Sequence, residues 1–219
     1  MFRFIFVVLK PPDQVIWKTI YKRNINMKLL LIAFTTALLA INTLDAQHFN
    51  IGIKGGVNLY NIVNENSSIG EPLIGFHVGL IGHYHLNNQF AIAPEVVFST
   101  QGTKTSNNGV ESQLSLNYVN VPLLLQYMFD NGFRIFTGPQ AGFLMSAKSN
   151  SNNSEVDRTN DFQALEFGGV FGASYINPES NFGFDARYNL GLTDINEVAA
   201  GSSFNREIQV GLFYLFNHK

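Results

Sequence analysis

From Gln47 onward, apolar and polar positions alternate with a period of two almost to Phe216. This is the pattern of strands whose two faces meet different surroundings. Phe49, Ile51, Ile53, Gly55, Val57 and Leu59 share the apolar face of a first strand, opposite Asn50, Gly52, Lys54, Gly56, Asn58 and Tyr60. A second sets Ile74, Phe76, Val78, Leu80, Tyr84 and Leu86 against His77, His83 and His85. A third sets Phe90, Ile92, Pro94, Val96 and Phe98 against Ala91, Glu95, Ser99 and Gln101. In the fourth, over about 113–129, Leu114, Leu116 and Tyr118 share a face, and then Val119, Val121, Leu123, Leu125 and Tyr127 take over. That slip of phase predicts a β-bulge near Tyr118-Val119.

The last four strands repeat the scheme. Phe133, Ile135, Thr137, Pro139, Ala141, Phe143 and Met145 oppose Arg134, Gln140 and Ser146. Leu165, Phe167, Gly169, Phe171, Ala173 and Tyr175 oppose Glu166, Gly168, Gly172 and Ser174. Phe182, Phe184, Ala186, Tyr188, Leu190 and Leu192 oppose Asp185, Arg187, Asn189 and Thr193. Ile208, Val210, Leu212, Tyr214 and Phe216 oppose Glu207, Gln209 and Gly211.

Charge sorts cleanly between the faces. Lys54, Glu95, Arg134, Glu166, Asp185, Arg187 and Glu207 all fall on the weaker face, and Arg206, at a strand end, is the exception on the other. A soluble barrel would turn its apolar face inward and clothe the outside in Lys and Glu. Here the polar face is rich in Gly and Ser with few charges of mixed sign, which suits a crowded lumen, while the apolar face suits lipid.

The connections alternate in length. Asn87-Asn88, Asp130-Asn131-Gly132 and 177–181 read as short turns, and longer polar loops are expected near 61–72, 102–112, 147–161 and 194–205. The 148–161 loop is Asn/Ser-rich, and solvation is its default role. Short turns on one side and long loops on the other are the habit of outer-membrane barrels. The expected fold is therefore all-β: an eight-stranded antiparallel up-and-down transmembrane β-barrel with both termini in the periplasm. Tyr84, Phe90, Tyr127, Phe133, Tyr175, Phe182 and Tyr214 all sit beside the short turns, where an interfacial aromatic girdle belongs.

Composition agrees. Charged residues make up 14% of the 219-residue chain, which has 20 Phe, 19 Gly and no Cys. Soluble domains carry roughly 25% charge, and the lack of Cys excludes disulfides and thiol chemistry. The N-terminal 46 residues stand apart. From Met27 the chain has a basic start at Lys28 and an apolar stretch Leu29–Ala40, the make-up of a signal peptide (27–46) cleaved between Ala46 and Gln47. Residues 1–26 are basic and contain Pro11-Pro12. They read either as sequence ahead of a true start at Met27 or as a long basic leader. Beyond Ala46 the chain holds 8 Lys/Arg and 14 Asp/Glu, a net charge of −6 without a basic cluster, which argues against a nucleic-acid partner.

Several segments in order carry a family likeness: Gly52-Ile53-Lys54-Gly55-Gly56-Val57-Asn58, Pro94-Glu95, Asn117–Leu124, Gly138–Phe143, Asp185-Ala186-Arg187-Tyr188 and Gly191-Leu192. Together they resemble the small outer-membrane "porin family" barrels of Bacteroidetes, the group that includes PorT-like proteins. The resemblance spans about 48–216. It implies an eight-stranded outer-membrane barrel and little about activity. The terminal Phe213-Tyr214-Leu215-Phe216 looks like a barrel-assembly signal, so lipid and the assembly machinery are the expected partners, and any surface or periplasmic protein partner is unspecified.

The seven inward charges form the candidate site. An eight-stranded barrel is just wide enough for side chains to fill. The seven are expected to form a salt-bridged plug, with a narrow ion path as the alternative, and Arg187 with Glu95 is the pair expected to be central. His83 and His85 are spaced to clasp a metal only in principle, because no acid or thiol lies near them in sequence, and hydrogen bonding is the expected role of His77, His83 and His85. Ser99, Ser146 and Ser174 face inward but no Gly-x-Ser-x-Gly elbow occurs, and Gly52, Gly55 and Gly56 lie within a strand rather than before a helix. The expectation is no enzyme, no cofactor and no metal. Three readings follow: a plugged structural or interaction barrel, a small porin passing ions or small solutes, and a soluble lipocalin-like binding barrel.

Overall fold

The alternation drives nine strands in the computed structural model, which describes residues 49–64, 68–107, 110–151, 154–197 and 202–216. These are β1 (Phe49–Asn64), β2 (Ser68–His85), β3 (Phe90–Asn107), β4 (Val110–Met128), β5 (Phe133–Ser151), β6 (Ser154–Asp157), β7 (Leu165–Ile176), β8 (Phe182–Gly191) and β9 (Ser203–Phe216). The leader, the expected signal segment 27–46 and the final Asn217-His218-Lys219 lie outside the described residues.

Eight long strands run antiparallel to their ring neighbours in the order β1-β2-β3-β4-β5-β7-β8-β9, and β1 closes the circuit on β9 from Ile51↔Phe216 to Asn64↔Ser203. Every long strand is thus hydrogen-bonded on both sides, which removes the exposed edge of an open sheet. The four-residue β6 adds only to β5, pairing Lys148↔Asp157 through Ser151↔Ser154. The fold class is the expected one: all-β, up-and-down, with eight strands in the ring.

The faces sort as the alternation requires. Phe76, Leu80, Phe182 and Leu212 are 53%, 52%, 61% and 67% exposed on the outside of the ring. The alternate positions point inward and are buried. A lipocalin-like barrel would need the opposite arrangement, with apolar side chains lining the interior, so that reading is excluded. Aromatic rings crowd the end that bears the short turns. Phe90 meets Tyr127 at 5.2 Å, Tyr127 meets Phe129 at 4.9 Å and Phe182 meets Tyr214 at 4.7 Å. Gly132 closes the β4–β5 turn at φ +85°, a conformation that costs glycine little.

Two expectations need correction. The long loops foreseen near 61–72 and 102–112 are largely strand: β1 runs to Asn64, β3 runs to Asn107 and β4 starts at Val110. Thr103 pairs Leu114 and Asn107 pairs Val110 in an uninterrupted ladder. Backbone pairing needs no apolar face, so a hairpin already in register continues through polar residues that alternation cannot detect. Likewise β5 continues through the Asn/Ser-rich stretch to Ser151.

The bulge expected in β4 is not there: its even-numbered residues are buried from Leu116 through Leu124, and its ladder with β3 runs unbroken through Phe98↔Val119, Ser99↔Tyr118 and Thr100↔Asn117. The register against β5 does shift between Asn117 and Tyr118, but the extra residue is Met145 on β5, because Asn117 pairs Ser146 and Tyr118 pairs Leu144. The change of apolar face along β4 has another meaning: Leu116 and Tyr118 point into the ring and pack with Tyr60, Ile62, Ala147 and Ile195. An apolar cluster therefore fills part of the lumen at the long-connection end.

Candidate functional site

All seven predicted charges are buried inside the ring: Lys54, Glu95, Arg134, Glu166, Asp185, Arg187 and Glu207. They do not form one cluster.

Four of them meet in the half of the lumen nearer the short turns. Lys54 is on β1, Glu95 on β3, and Asp185 with Arg187 on β8. The guanidinium of Arg187 donates two bonds to Glu95, Nη1 to Oε2 at 2.8 Å and Nη2 to Oε1 at 3.1 Å. Its Nε donates to Asp185 Oδ2 at 2.7 Å. Lys54 Nζ lies 3.5 Å from Glu95 Oε2 and 3.3 Å from Asp185 Oδ2. The fork of Arg187 suits the planar carboxylate, giving the strong bidentate form of the bond. Phe136, inward on β5, stacks 4.9 Å below the guanidinium. The network thus ties strands across the lumen, and the expected Arg187–Glu95 pair sits at its centre.

Arg134 lines the same narrow space. Its Nη1 lies 3.4 Å from His83 Nε2, and the void it shares with Gln126, Ser174, Asp185 and Arg187 has a volume of about 20 Å³, room for about one water. His83 and His85 meet edge to face at 4.5 Å. Among the described residues no group of three or more His, Cys, Asp or Glu side chains is arranged to hold a metal.

Glu166 and Glu207 sit apart, nearer the long connections, and hydrogen-bond to neutral groups. Glu207 accepts from Ser99 Oγ at 3.0 Å, Asn189 Nδ2 at 2.8 Å and Gln101 Nε2 at 3.4 Å. Glu166 accepts from Asn205 Nδ2 at 2.5 Å. Between the two groups lies a small amide relay, in which Asn58 donates to Ser99 Oγ at 2.8 Å and its Oδ1 lies 2.6 Å from His77 Nδ1.

Sequence reasoning singled out the charges and passed over this neutral layer. The period-two pattern put Asn58, Gln101 and Asn189 on the polar face without giving them a role, and Asn205 fell in the stretch expected as a loop near 194–205. Phe136, Leu116 and Tyr118 are inward as well, and their apolar character hid them.

Outside the ring's lumen, ion pairs are exposed and short-range: Lys104–Glu111 at 2.8 Å, Lys148–Glu155 at 2.6 Å and Arg158–Asp161 at 3.3 Å. Such solvent-screened pairs contribute little to stability. Slight desolvation opposes the charge of Asp194, but backbone amides of Ser203 and Asn196, donating at 2.9 Å and 3.0 Å, outweigh it and hold its carboxyl below the usual carboxylate range.

The family model described as "Outer membrane protein beta-barrel domain" matches residues 45–197. Among solved structures, neisserial surface protein A (NspA) is similar at 15% identity and a TM-score of 0.54, over 76% of this chain and 97% of that one. The attachment invasion locus protein Ail of Yersinia pestis is similar at 16% identity and a TM-score of 0.46, over 77% of this chain and 99% of that one. No curated protein matches the chain.

Proposed function

We propose that this chain, which belongs to the outer membrane protein β-barrel domain family, is a closed barrel whose work is structural or interaction-based. The outer membrane is its place. In this reading both termini are periplasmic and the long connections face outward, where they would meet a surface partner. The narrower kinship with the PorT-like barrels of Bacteroidetes rests on the ordered sequence segments alone, and no enzymatic chemistry is part of the proposal.

One observation carries the closed state. The Lys54–Glu95–Asp185–Arg187 network spans the lumen from β1, β3 and β8, and the void beside it has a volume of only about 20 Å³. A hydrated ion needs more room than one water occupies. Breaking a buried ion pair by removing one partner costs about 3–5 kcal/mol, so the plug does not part readily.

The test is conductance in planar bilayers, on protein whose fold is first established by heat-dependent gel migration. The expected result is no stable channel. Discrete openings that change with Arg187→Ala would replace this reading with that of a small porin.

A further inference from the structure

The lumen charges are unevenly distributed. Lys54, Arg134 and Arg187 share the short-turn half with Glu95 and Asp185, so that half carries one surplus positive charge. Glu166 and Glu207 occupy the other half, and among the described residues neither forms an ion pair. Arg206, between Asn205 and Glu207 on β9, donates its Nη1 to the backbone carbonyls of Gly191 and Asn205 at 2.7 Å and 2.9 Å. Two buried carboxyl groups without a paired cation are tolerated as carboxylates only when a metal ion joins them, the other route being to hold a proton.

A second observation says what could. Around these carboxylates several buried oxygens have no hydrogen-bond partner: Asn189 Oδ1, Asn205 Oδ1, Gln101 Oε1 and the hydroxyl of Tyr60. Asn189, Asn205 and Gln101 are 5%, 5% and 6% exposed, and Tyr60 is fully buried. Each of the three amides spends its nitrogen on a carboxylate, Asn189 and Gln101 on Glu207 and Asn205 on Glu166. Their oxygens therefore stay beside the acids. Tyr60 on β1 is the direct cross-strand partner of Glu207 on β9. Asn205 and Glu207 are two residues apart on one face of β9, a spacing of roughly 6.6–6.8 Å, so the two acids share one neighbourhood. Gly191 leaves room for the Glu166 carboxylate, which a Cβ there would strike.

We propose that this half of the lumen is a binding site for a hard divalent cation of the Ca²⁺ class, held by Glu166, Glu207, Asn189, Asn205, Gln101 and Tyr60. The donor set is all oxygen, which selects hard cations over thiolate- or imidazole-seeking metals. Two carboxylates match a double positive charge. The neutral oxygens supply the remainder of the coordination, in the irregular geometry that Ca²⁺ accepts and Mg²⁺ resists. The site stands whether or not the lumen conducts, because it does not involve the plug.

The experiment uses the full chain, extracted in detergent and shown to be folded by its heat-dependent gel shift. Tb³⁺, an oxygen-seeking substitute for Ca²⁺, is titrated while its emission is excited through nearby aromatic rings. Saturable emission reversed by Ca²⁺ is expected. Glu166→Gln with Glu207→Gln should weaken Tb³⁺ by at least the 10–100-fold, roughly, that even outer-shell partners are worth at metal sites. Glu155→Gln with Asp157→Asn on the exposed β6 should leave it unchanged. A folded wild type without saturable emission, or a double variant that binds like the wild type, overturns the site and leaves the orphan oxygens to water. A second measurement needs no variant: Ca²⁺ should raise the temperature of the gel-shift transition by mass action on the folded state, and no rise overturns the proposal equally.

Discussion

The two halves of the lumen are built from the same kind of sequence and reach opposite solutions. Near the short turns, acids are neutralised by Arg187 and Lys54 at contact distances of 2.7–3.5 Å. Near the long connections, Glu166 and Glu207 rest on amides and a hydroxyl beside an apolar cluster of Tyr60, Leu116 and Tyr118. The difference shows that polar-inward alternation specifies only that inward groups must be satisfied. A cation supplied by the chain itself locks one half, whereas the acids of the other half meet only neutral donors.

Four perturbations test that contrast. The largest effect is expected from Arg187→Ala, which strands Glu95 and Asp185 with Lys54 alone. Chemical unfolding in lipid vesicles should show a loss of about 3–5 kcal/mol, the cost of breaking a buried pair from one side. A loss near zero would mean that the plug is not the lock of its half. Next comes Leu116→Ala, which empties part of the apolar cluster. The same unfolding assay should register about 2–4 kcal/mol, the usual cost of a core Leu truncation.

A smaller effect sharpens the comparison of carboxylates. Glu207→Gln removes a charge that no cation neutralises while keeping acceptor and shape, so in chelator its stability should change by about 1 kcal/mol or less. Glu95→Gln should be clearly destabilising, because it leaves Arg187 short of a partner. Equal losses from the two would erase the distinction between the halves. The smallest effect belongs to the 192–202 connection. The Asp194 carboxyl is held below its ordinary value by the amides of Ser203 and Asn196, so its contribution is present above the ordinary carboxylate range and is lost as pH falls through the lowered value. The protection of the Ser203 amide, taken relative to the intrinsic exchange rate at each pH, should fall on that descent, and Asp194→Asn should abolish this acid dependence while lowering the protection throughout.

Much of the architecture was legible in advance. Ile51, Val57, Leu80, Phe182 and Leu212 announced an outward face, and the charge-bearing alternate positions announced an inward one. The apolar run of β4 misled: Leu114, Leu116 and Tyr118 belong to the same unbroken alternation as the outward Val119 and Val121, and they mark an apolar patch of the lumen rather than a bulge in that strand. The strand ends were not legible, because Thr103–Asn107 and Lys148–Ser151 pair by backbone groups that every residue possesses. The neutral lumen layer was hard to see for a related reason: Asn205 fell in a polar stretch that reads as loop, and Asn58, though on the inward face, carries no charge to mark it.

Face and polarity were properties of the chain alone, since a period of two makes each residue's side a matter of its immediate neighbours. Which inward groups meet was not. Lys54 and Asp185 are 131 residues apart, and Arg187 and Glu95 are 92 apart. Their contact depends on the register of every ladder between them, and a shift of one residue in any strand that bears one of these charges would turn it outward. Closure of β1 onto β9 set those registers together, and with them the division of the lumen into a neutralised half and an acidic one.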